Sequence, residues 1–375
     1  MAMSASGRTS WISGASVTVL GAVFLAAWSL VLVRLGPAGA RSYLVLRGLV
    51  ALGAAVIPIS SVRWIQAHPA VAPGFAKRVA IGLELSIAAA MTIALVATSS
   101  WWARRAGIEA PAPWLIAACS LHHGAARLDR AVIKLGVEPA GALVASLAML
   151  AQLAATPLAA LLHGSIGFVI GASSVASMAL AAVALRLPPR VGGEVSLPRP
   201  LVHLPSWLGE ISHALPRIVV ALAVAGAMVV PYESAALLVW IVFLPFMLGA
   251  LPQVTGLAPR LARGILLATV CYGAIATFGP GLYRAVFPGW FGGASLMRCF
   301  AWSAVALVPL SYYKKRKGEP DWRTAVTALA SIVATIVLVP VRGVVGVVNA
   351  QVIKLMVASI LGIADPTRRE ESLLG

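Results

Sequence analysis

The chain has 375 residues, of which 60% are hydrophobic and only 11% are charged. Soluble domains carry about 25% charged residues, so this composition excludes an ordinary water-soluble protein. The formal net charge of +17 would suit a nucleic-acid-binding protein. Lys and Arg that collect in short loops are instead typical of the cytoplasmic side of membrane proteins. We therefore predict an integral membrane protein, with no nucleic acid among its partners.

Apolar blocks of about twenty residues recur along the chain, long enough to cross a hydrocarbon core of about 30 Å as helices. A backbone in lipid must satisfy its own hydrogen bonds, and blocks of this length do so as helices rather than barrel strands. The sequence thus predicts an all-α integral membrane protein. Its twelve predicted spans are 14–33, 42–60, 79–99, 113–134, 140–162, 165–186, 209–230, 234–255, 264–286, 293–312, 323–340 and 343–362.

Basic residues test this arrangement of spans. If the N-terminus is cytoplasmic, every inner loop contains Lys or Arg, and the strongest cluster is the KKRK run at 314–317. Fewer basic residues fall at the outer ends, as the positive-inside rule requires. The pattern predicts a multi-pass protein of the cell membrane with both termini in the cytoplasm.

An internal repeat divides the chain. GVEP at 136–139 precedes an apolar span and the turn HGSIGFV, whereas KGEP at 317–320 precedes another apolar span and RGVVGVV. The two copies lie roughly half a chain apart, which predicts two pseudo-symmetric six-helix lobes with the same orientation. The predicted organisation is an N-terminal lobe at 1–187, a cytoplasmic linker at 188–207, and a C-terminal lobe with a short cytoplasmic tail at 208–375.

The fourth predicted span carries a basic stripe. His123, Arg127, Arg130 and Lys134 are spaced by four, three and four residues, so they share one helix face, and Asp129 lies well round from them. One interpretation is a cationic wall that meets a phosphate or pyrophosphate head group. The other is a helix end whose long side chains reach out to lipid head groups.

The seventh predicted span has a mixed face. Glu210, His213 and Arg217 share one side of the helix, and Pro216 is expected to bend it. The three residues could form an internal Glu–Arg pair, or they could line a cavity and carry a proton.

Three further charges lie inside predicted spans, where ionisable groups are costly and usually face a bundle interior or a watery cavity. Lys354 lies near the middle of the last span, too deep to reach a membrane surface easily. Arg47 and Glu84 lie about a turn inside the second and third spans. Each of these two could face a central cavity or extend to the head groups.

No catalytic motif accompanies these charges. The sequence lacks a glycine-rich phosphate loop followed by Lys and Ser or Thr, and His122 and His123 are adjacent rather than four apart as a helical metal pair requires. The three cysteines have no metal-site spacing. We therefore predict no metal site and no cofactor, and an integral membrane enzyme of lipid or sugar metabolism is the less favoured class.

Three stretches carry a family resemblance: VRLGPAGARSYLVLRGLVAL at 33–52, the basic loop SVRWIQAHPAVAPGFAKR at 61–78, and YYKKRKGEP with LVPVRGVVGVVNAQVIKL at 312–320 and 338–355. Together with the topology, they resemble the polysaccharide-biosynthesis and oligosaccharidyl-lipid flippases of the multidrug/oligosaccharidyl-lipid/polysaccharide exporter superfamily. The resemblance implies a MATE-like pair of six-helix lobes that opens alternately to each membrane face.

The cargo that the resemblance implies is a lipid-linked oligosaccharide or polysaccharide repeat unit with an anionic pyrophosphate or phosphate, moved from the inner to the outer leaflet. Implied partners are membrane lipids and glycosyltransferases or a polymerase of the same pathway. The alternative is an ion-coupled multidrug or metabolite exporter of the same fold, which would need an acidic site in a lobe. The candidate cargo-binding residues are Arg47, His123, Arg127, Arg130, Arg217 and Lys354, and the candidates for ion or proton coupling are Glu84, Asp129, Glu210 and His213.

Overall fold

The structure is a computed structural model. It describes residues 5–57, 59–61, 64–65, 73–134, 151, 154–186, 203–224, 226–247, 257–290, 292–308 and 322–363. Within these ranges every regular element is helical. This agrees with the predicted all-α class.

Eleven helices in the described ranges are labelled here in chain order. They are α1 Ala5–Val56, α2 Pro73–Ala97, α3 Ser99–Ala106, α4 Pro113–Lys134, α5 154–162, α6 Ile166–Arg186, α7 His203–Val219, α8 Val229–Met247, α9 Leu257–Val286, α10 Gly292–Ala301 and α11 Trp322–Ile363. A π-helical turn at Val220–Val224 and 3-10 turns at Gly226–Met228 and Trp302–Ala306 complete them.

The two longest helices each contain two predicted spans. Helix α1 has 52 residues, which at a rise of about 1.5 Å per residue is about 78 Å, more than twice the thickness of a hydrocarbon core. Its regular geometry breaks at Gly36, where φ is 65°. Helix α11 breaks in the same way at Gly343, where φ is 55°. A positive φ is strained for any residue with a Cβ. Glycine therefore allows α1 and α11 each to turn between two consecutive spans with almost no loop.

The surface of the helices is apolar, as expected for contact with lipid. Five described helices are long and apolar enough to cross a membrane: Ala26–Val56, Gly74–Ala97, Ile166–Val183, Leu261–Val286 and Trp322–Ala358. Ile93 is 70% exposed and Val341 is 80% exposed. Large apolar side chains left uncovered along whole helices indicate a lipid environment, so the protein is a multi-pass membrane protein.

The chain forms two compact units. The first unit is Leu30–Ala227, and the second is Met1–Ser29 together with Met228–Gly375. In the first unit, helices α2, α4 and α6 pack on one another, and in the second unit helix α10 packs on α8 and α9. These divisions differ from the lobes expected at 1–187 and 208–375, since the seventh predicted span belongs to the first unit. The lobe boundaries drawn from the repeat stay a prediction.

The described helices follow most predicted spans closely. Helices α4 and α6 begin within a residue of the predicted spans at 113–134 and 165–186. Helix α7 begins at His203 rather than at 209 and gives way to the π-helical turn shortly after Pro216. Proline lacks an N–H and removes one hydrogen bond of the helix, which favours such an irregular turn. The fifth predicted span is described only at 151 and 154–162, so the count of twelve stays a prediction.

A close approach between the two halves of α11 gives a testable prediction. A Cβ added at Gly346 would overlap the carbonyl group of Leu338. Because both groups belong to the backbone, Gly346→Ala should lower the free energy of unfolding by about 1–3 kcal/mol, the usual cost of overpacking. Thermal unfolding in detergent measures this loss. Gly273→Ala is the matched control, since nothing lies within 4 Å of a Cβ there, and an equal loss in both variants would contradict the account.

Candidate functional site

Arg47 lies on the second half of α1, one turn after Tyr43. Its Nη1 donates a hydrogen bond of 3.2 Å to the Tyr43 hydroxyl oxygen. The guanidinium carbon lies 5.9 Å from the centre of the Tyr43 ring, within the range of a cation–π contact. Tyr43 is buried, whereas Arg47 is half-buried. The guanidinium is therefore held in place by Tyr43 but is not sealed inside the helix bundle.

Helix α7 places a second arginine beside the first. A Cβ added at Gly48 would lie 2.8 Å from Cδ of Arg217 and 2.7 Å from Cδ1 of Ile218. The side-chain stem of Arg217 thus rests on the residue that follows Arg47, and the absence of a side chain at Gly48 makes the room for it. Arg217 is also half-buried. The side chain of Arg217 on α7 therefore packs against α1 at the position next to Arg47, within the first unit.

His122 joins this region from α4. Its Nδ1 shares a hydrogen bond of 2.8 Å with the Ser177 hydroxyl on α6 and lies 3.3 Å from the carbonyl oxygen of Ser173. The Arg47 charge acts on the His122 ring, and the Thr156 hydroxyl hydrogen-bonds Tyr43. We call Tyr43, Arg47, His122, Thr156 and Ser177 the polar cluster. It joins α1, α4, α5 and α6.

Glu84 and Arg127 form a buried ion pair in the same unit. Glu84 Oε2 lies 3.5 Å from Arg127 Nε, and the two residues are 3% and 5% exposed. Glu84 Oε1 accepts hydrogen bonds from the Ser61 backbone N–H at 3.0 Å and from the Ser61 hydroxyl at 2.6 Å. Arg127 Nη1 donates to the carbonyl oxygen of Ala54 at 3.1 Å. Each charge is therefore compensated by a charge and a backbone group.

These contacts stabilise the C-terminal end of α1 and the segment that follows it. Ala54 lies in the last turn of α1, where carbonyl groups lack partners within the helix, and Arg127 supplies one. Ser61 opens the next helical segment, where an acidic acceptor for a free N–H is favourable. The geometry gives the pair a structural role. The expected cargo contact of Arg127 and ion coupling of Glu84 stay predictions.

A small cleft lies beside Glu84. It has a volume of about 110 Å³ and is lined mainly by apolar side chains of α2, α4 and α6, including Leu85, Leu121 and Met178. Within the described residues, no three His, Cys, Asp or Glu side chains come together as a metal ion would need.

Other predicted site residues lie elsewhere. His123 is half-buried on α4, and Glu210 and His213 are exposed on α7. Arg130 and Asp129 belong to α4, but their side chains lie outside the described part of the structure.

Lys354 belongs to the second unit. It is half-buried on α11, one turn from Gln351. Gln351 Nε2 donates to the Ser331 hydroxyl at 3.1 Å, and Ser331 and Thr335 are 1% and 2% exposed. The second unit thus has a polar patch of its own on α11. The expected role of Lys354 in cargo binding stays a prediction.

Comparison with known proteins identifies the fold. No protein-family model matches the sequence, and the search of curated proteins gives no match. The chain is similar to a solved structure described as the inward-facing conformation of a multidrug resistance MATE family transporter of the MOP superfamily. The TM-score is 0.61 at 17% sequence identity, over 94% of this chain and 96% of that chain. The chain therefore has the MATE-like transporter fold that the sequence predicts.

Proposed function

We propose that the chain is a membrane transporter, not an enzyme, that moves a lipid-linked oligosaccharide or polysaccharide repeat unit from the inner to the outer leaflet by alternating access. The observation that carries this proposal is that two half-buried arginines, Arg47 and Arg217, lie on parts of α1 and α7 that pack together, where the stem of Arg217 contacts Gly48, the residue after Arg47. A planar guanidinium offers paired N–H donors that match phosphate oxygens. The pyrophosphate or phosphate that joins the sugar to its lipid is the cargo group that fits such a pair.

The cost of charge inside a membrane supports this assignment. An arginine at membrane depth is retained where it pairs with a protein group or serves a ligand. Arg127 forms an ion pair with Glu84 and donates a hydrogen bond to the Ala54 carbonyl oxygen. Arg47 and Arg217 are less buried than Arg127, and the stem of Arg217 packs on Gly48, the residue after Arg47. An anion within reach of both guanidinium groups would be attracted by both charges.

A second candidate is an ion-coupled exporter of drugs or metabolites, which the similarity to a multidrug resistance transporter favours. Such a protein needs an acidic group that can take up a cation or a proton. Glu84 is a buried carboxylate of the first unit; Ser61 hydrogen-bonds its Oε1, and Oε2 forms an ion pair with Arg127 at 3.5 Å. Glu210 is exposed on α7. This arrangement makes the exporter the second choice.

The proposal extends to location and partners. The protein would lie in the cell membrane with both termini in the cytoplasm, where the basic inner loops meet anionic lipids. Membrane lipids, and glycosyltransferases or a polymerase that make and use the cargo, are its proposed partners. It uses no cofactor in this scheme.

Reconstitution into proteoliposomes tests the function and separates the two candidates. Lipid-linked oligosaccharide placed in one leaflet is followed as it becomes accessible in the other, and a cationic dye is assayed in the same vesicles. We expect movement of the oligosaccharide and no dye transport. Dye transport without oligosaccharide movement would favour the exporter, and movement of neither would end the proposal.

A further inference from the structure

The cleft beside Glu84 opens on the lipid-facing surface of the first unit. Two residues of its lining, Leu85 on α2 and Met178 on α6, are 54% and 40% exposed and form its rim. Its floor includes Gly124 on α4 and Ala181 on α6, which are small and buried. An exposed apolar depression on a membrane protein is a surface that lipid chains cover.

Small residues extend this cleft towards one end of α2 and α6. Lys77 Nζ donates a hydrogen bond of 2.8 Å to the Leu185 carbonyl oxygen, so the first turns of α2 lie beside the last turn of α6. Gly82 on α2 is exposed, and no atom lies within 4 Å of a Cβ added there. Ala182 on α6 is exposed as well. We call the cleft, together with Gly82 and Ala182, the apolar groove.

An exposed arginine lies beyond the groove on each of the two helices. Arg78 precedes Gly82 by one turn and Leu85 by two turns on the same face of α2, and Arg186 follows Met178 by two turns on the same face of α6. At a rise of about 1.5 Å per residue, each arginine lies about 10–12 Å along its helix from the rim of the cleft. Neither arginine forms an ion pair or a hydrogen bond with another described residue.

The charged side chains described around the groove give this end a positive charge. Lys77, Arg78 and Arg186 lie there together, at the level where α2 begins and α6 ends. Glu84 lines the cleft, but its Oε2 lies 3.5 Å from Arg127 Nε, so this pair adds no net charge. The surface thus combines an apolar depression at membrane depth with positive charge at its end.

Two aromatic rings mark the same end as the membrane boundary. Trp64 and Phe75 have ring centres 6.5 Å apart, and Phe75 is exposed near the start of α2. Trp64 also packs on the buried cluster that contains Ala125 and Ala181, two residues of the cleft. Amphipathic aromatic rings favour the level of the lipid head groups.

We propose that the groove binds an anionic phospholipid, with one acyl chain in the groove and the phosphate held by Arg78 and Arg186. A guanidinium offers paired N–H donors to phosphate oxygens, and its long side chain reaches the head-group level. In the predicted orientation this is a lipid of the inner leaflet. The bound lipid joins α2 to α6 from outside the bundle, and its binding does not depend on the cargo.

Native mass spectrometry of the purified full-length protein in detergent tests the site. Phosphatidylglycerol and phosphatidylcholine are titrated in turn, and the affinity for the first bound lipid is measured. Both lipids carry a phosphate and the same chains, but the choline of the second cancels its net charge. Since each basic residue near an anionic lipid contributes about fivefold in affinity, we expect phosphatidylglycerol to bind about 25-fold more tightly.

Paired substitutions locate this preference. The double variant Arg78→Gln with Arg186→Gln should bind the two lipids equally. The matched control is Arg104→Gln with Arg105→Gln, which removes two exposed arginines from α3, beyond the other end of α2. This control should keep the preference.

A further variant tests the place of the acyl chain. Gly82→Leu has room for its Cβ and should fold, but its side chain would occupy the groove. We expect it to weaken phosphatidylglycerol binding at least about fourfold, the contribution of one buried methylene group. Gly273→Leu, at an equally open position on α9, should bind normally. Glycerophosphoglycerol, the head group without chains, should not bind measurably.

Several results would overturn the proposal. Equal binding of the two lipids by the wild-type protein would exclude selection by charge, and an equal loss in both double variants would assign the preference to total charge. Binding of glycerophosphoglycerol as tight as that of the lipid, or normal binding by Gly82→Leu, would exclude the acyl-chain contact. If a polyprenyl phosphate binds more tightly than phosphatidylglycerol through the same arginines, the groove takes a cargo lipid rather than a membrane phospholipid.

Discussion

Replacing Glu84 by Gln should destabilise the protein by about 3–5 kcal/mol, the usual cost of leaving one partner of a buried ion pair alone. Arg127 would keep its charge at 5% exposure without its carboxylate. The loss arises from that uncompensated charge, because the Gln carbonyl can still accept a hydrogen bond from Ser61. Thermal or denaturant unfolding of the purified protein in detergent measures the change.

The double variant with Arg127→Gln provides the internal check. Removing both charges removes the uncompensated charge, so the double variant should be more stable than Glu84→Gln alone. Arg78→Gln is the surface control, since Arg78 is exposed on the same helix α2 as Glu84, and it should change stability by less than about 0.5 kcal/mol. Simple addition of the two single losses would contradict the ion pair.

Arg47→Gln should slow oligosaccharide flipping at least about tenfold, because a hydrogen bond to a charged group contributes roughly 1.5–3 kcal/mol. Glutamine keeps a polar side chain at this half-buried position, so folding should be retained. The measurement is the rate at which lipid-linked oligosaccharide becomes accessible in the opposite leaflet of proteoliposomes. Arg217→Gln should act in the same direction.

Arg105→Gln is the control for this loss, since Arg105 is exposed on α3 and belongs to neither arginine site. It should flip at the wild-type rate. If Arg47→Gln and Arg217→Gln both flip normally while the wild-type protein is active, the cargo contacts other residues, and the assignment of these two arginines is wrong.

The sequence predicts the helices well because their limits follow from hydrophobic length alone. A span must cover the hydrocarbon core, and polar residues mark its ends, so α4 was expected at 113–134 and is found there. The lengths of α1 and α11 follow in the same way, each as two spans. The turns at Gly36 and Gly343 depend on positive φ angles, which only the structure shows. In the sequence, nearby prolines and glycines indicate only that the helix is interrupted there.

The partners of the charged residues could not be predicted in the same way. The basic face of α4 is visible from its spacing, but that Arg127 meets Glu84 depends on how α2 and α4 pack. The contact between Arg217 and Gly48 joins residues far apart in the chain, and no local pattern encodes it.

The sequence did not single out His122 as a site residue. It was considered only as half of a metal-binding pair with His123, and two adjacent histidines do not share a helix face. The useful pattern lay on another helix, where Ser173 and Ser177 are one turn apart and form a small polar face in an apolar span. Hydroxyl pairs of this kind mark the place where a buried polar side chain from a neighbouring helix is accommodated. Recognising the pair still requires knowing that α4 and α6 are neighbours.

The central claim is that arginines inside the membrane select a cargo by its negative charge. The most direct measurement compares, in the same proteoliposomes, flipping of one oligosaccharide attached to lipid through pyrophosphate with flipping of the same oligosaccharide on an uncharged lipid. The account predicts that only the pyrophosphate-linked cargo crosses at a rate above that of protein-free vesicles. Equal rates for the two cargoes, or faster movement of the uncharged one, would contradict it.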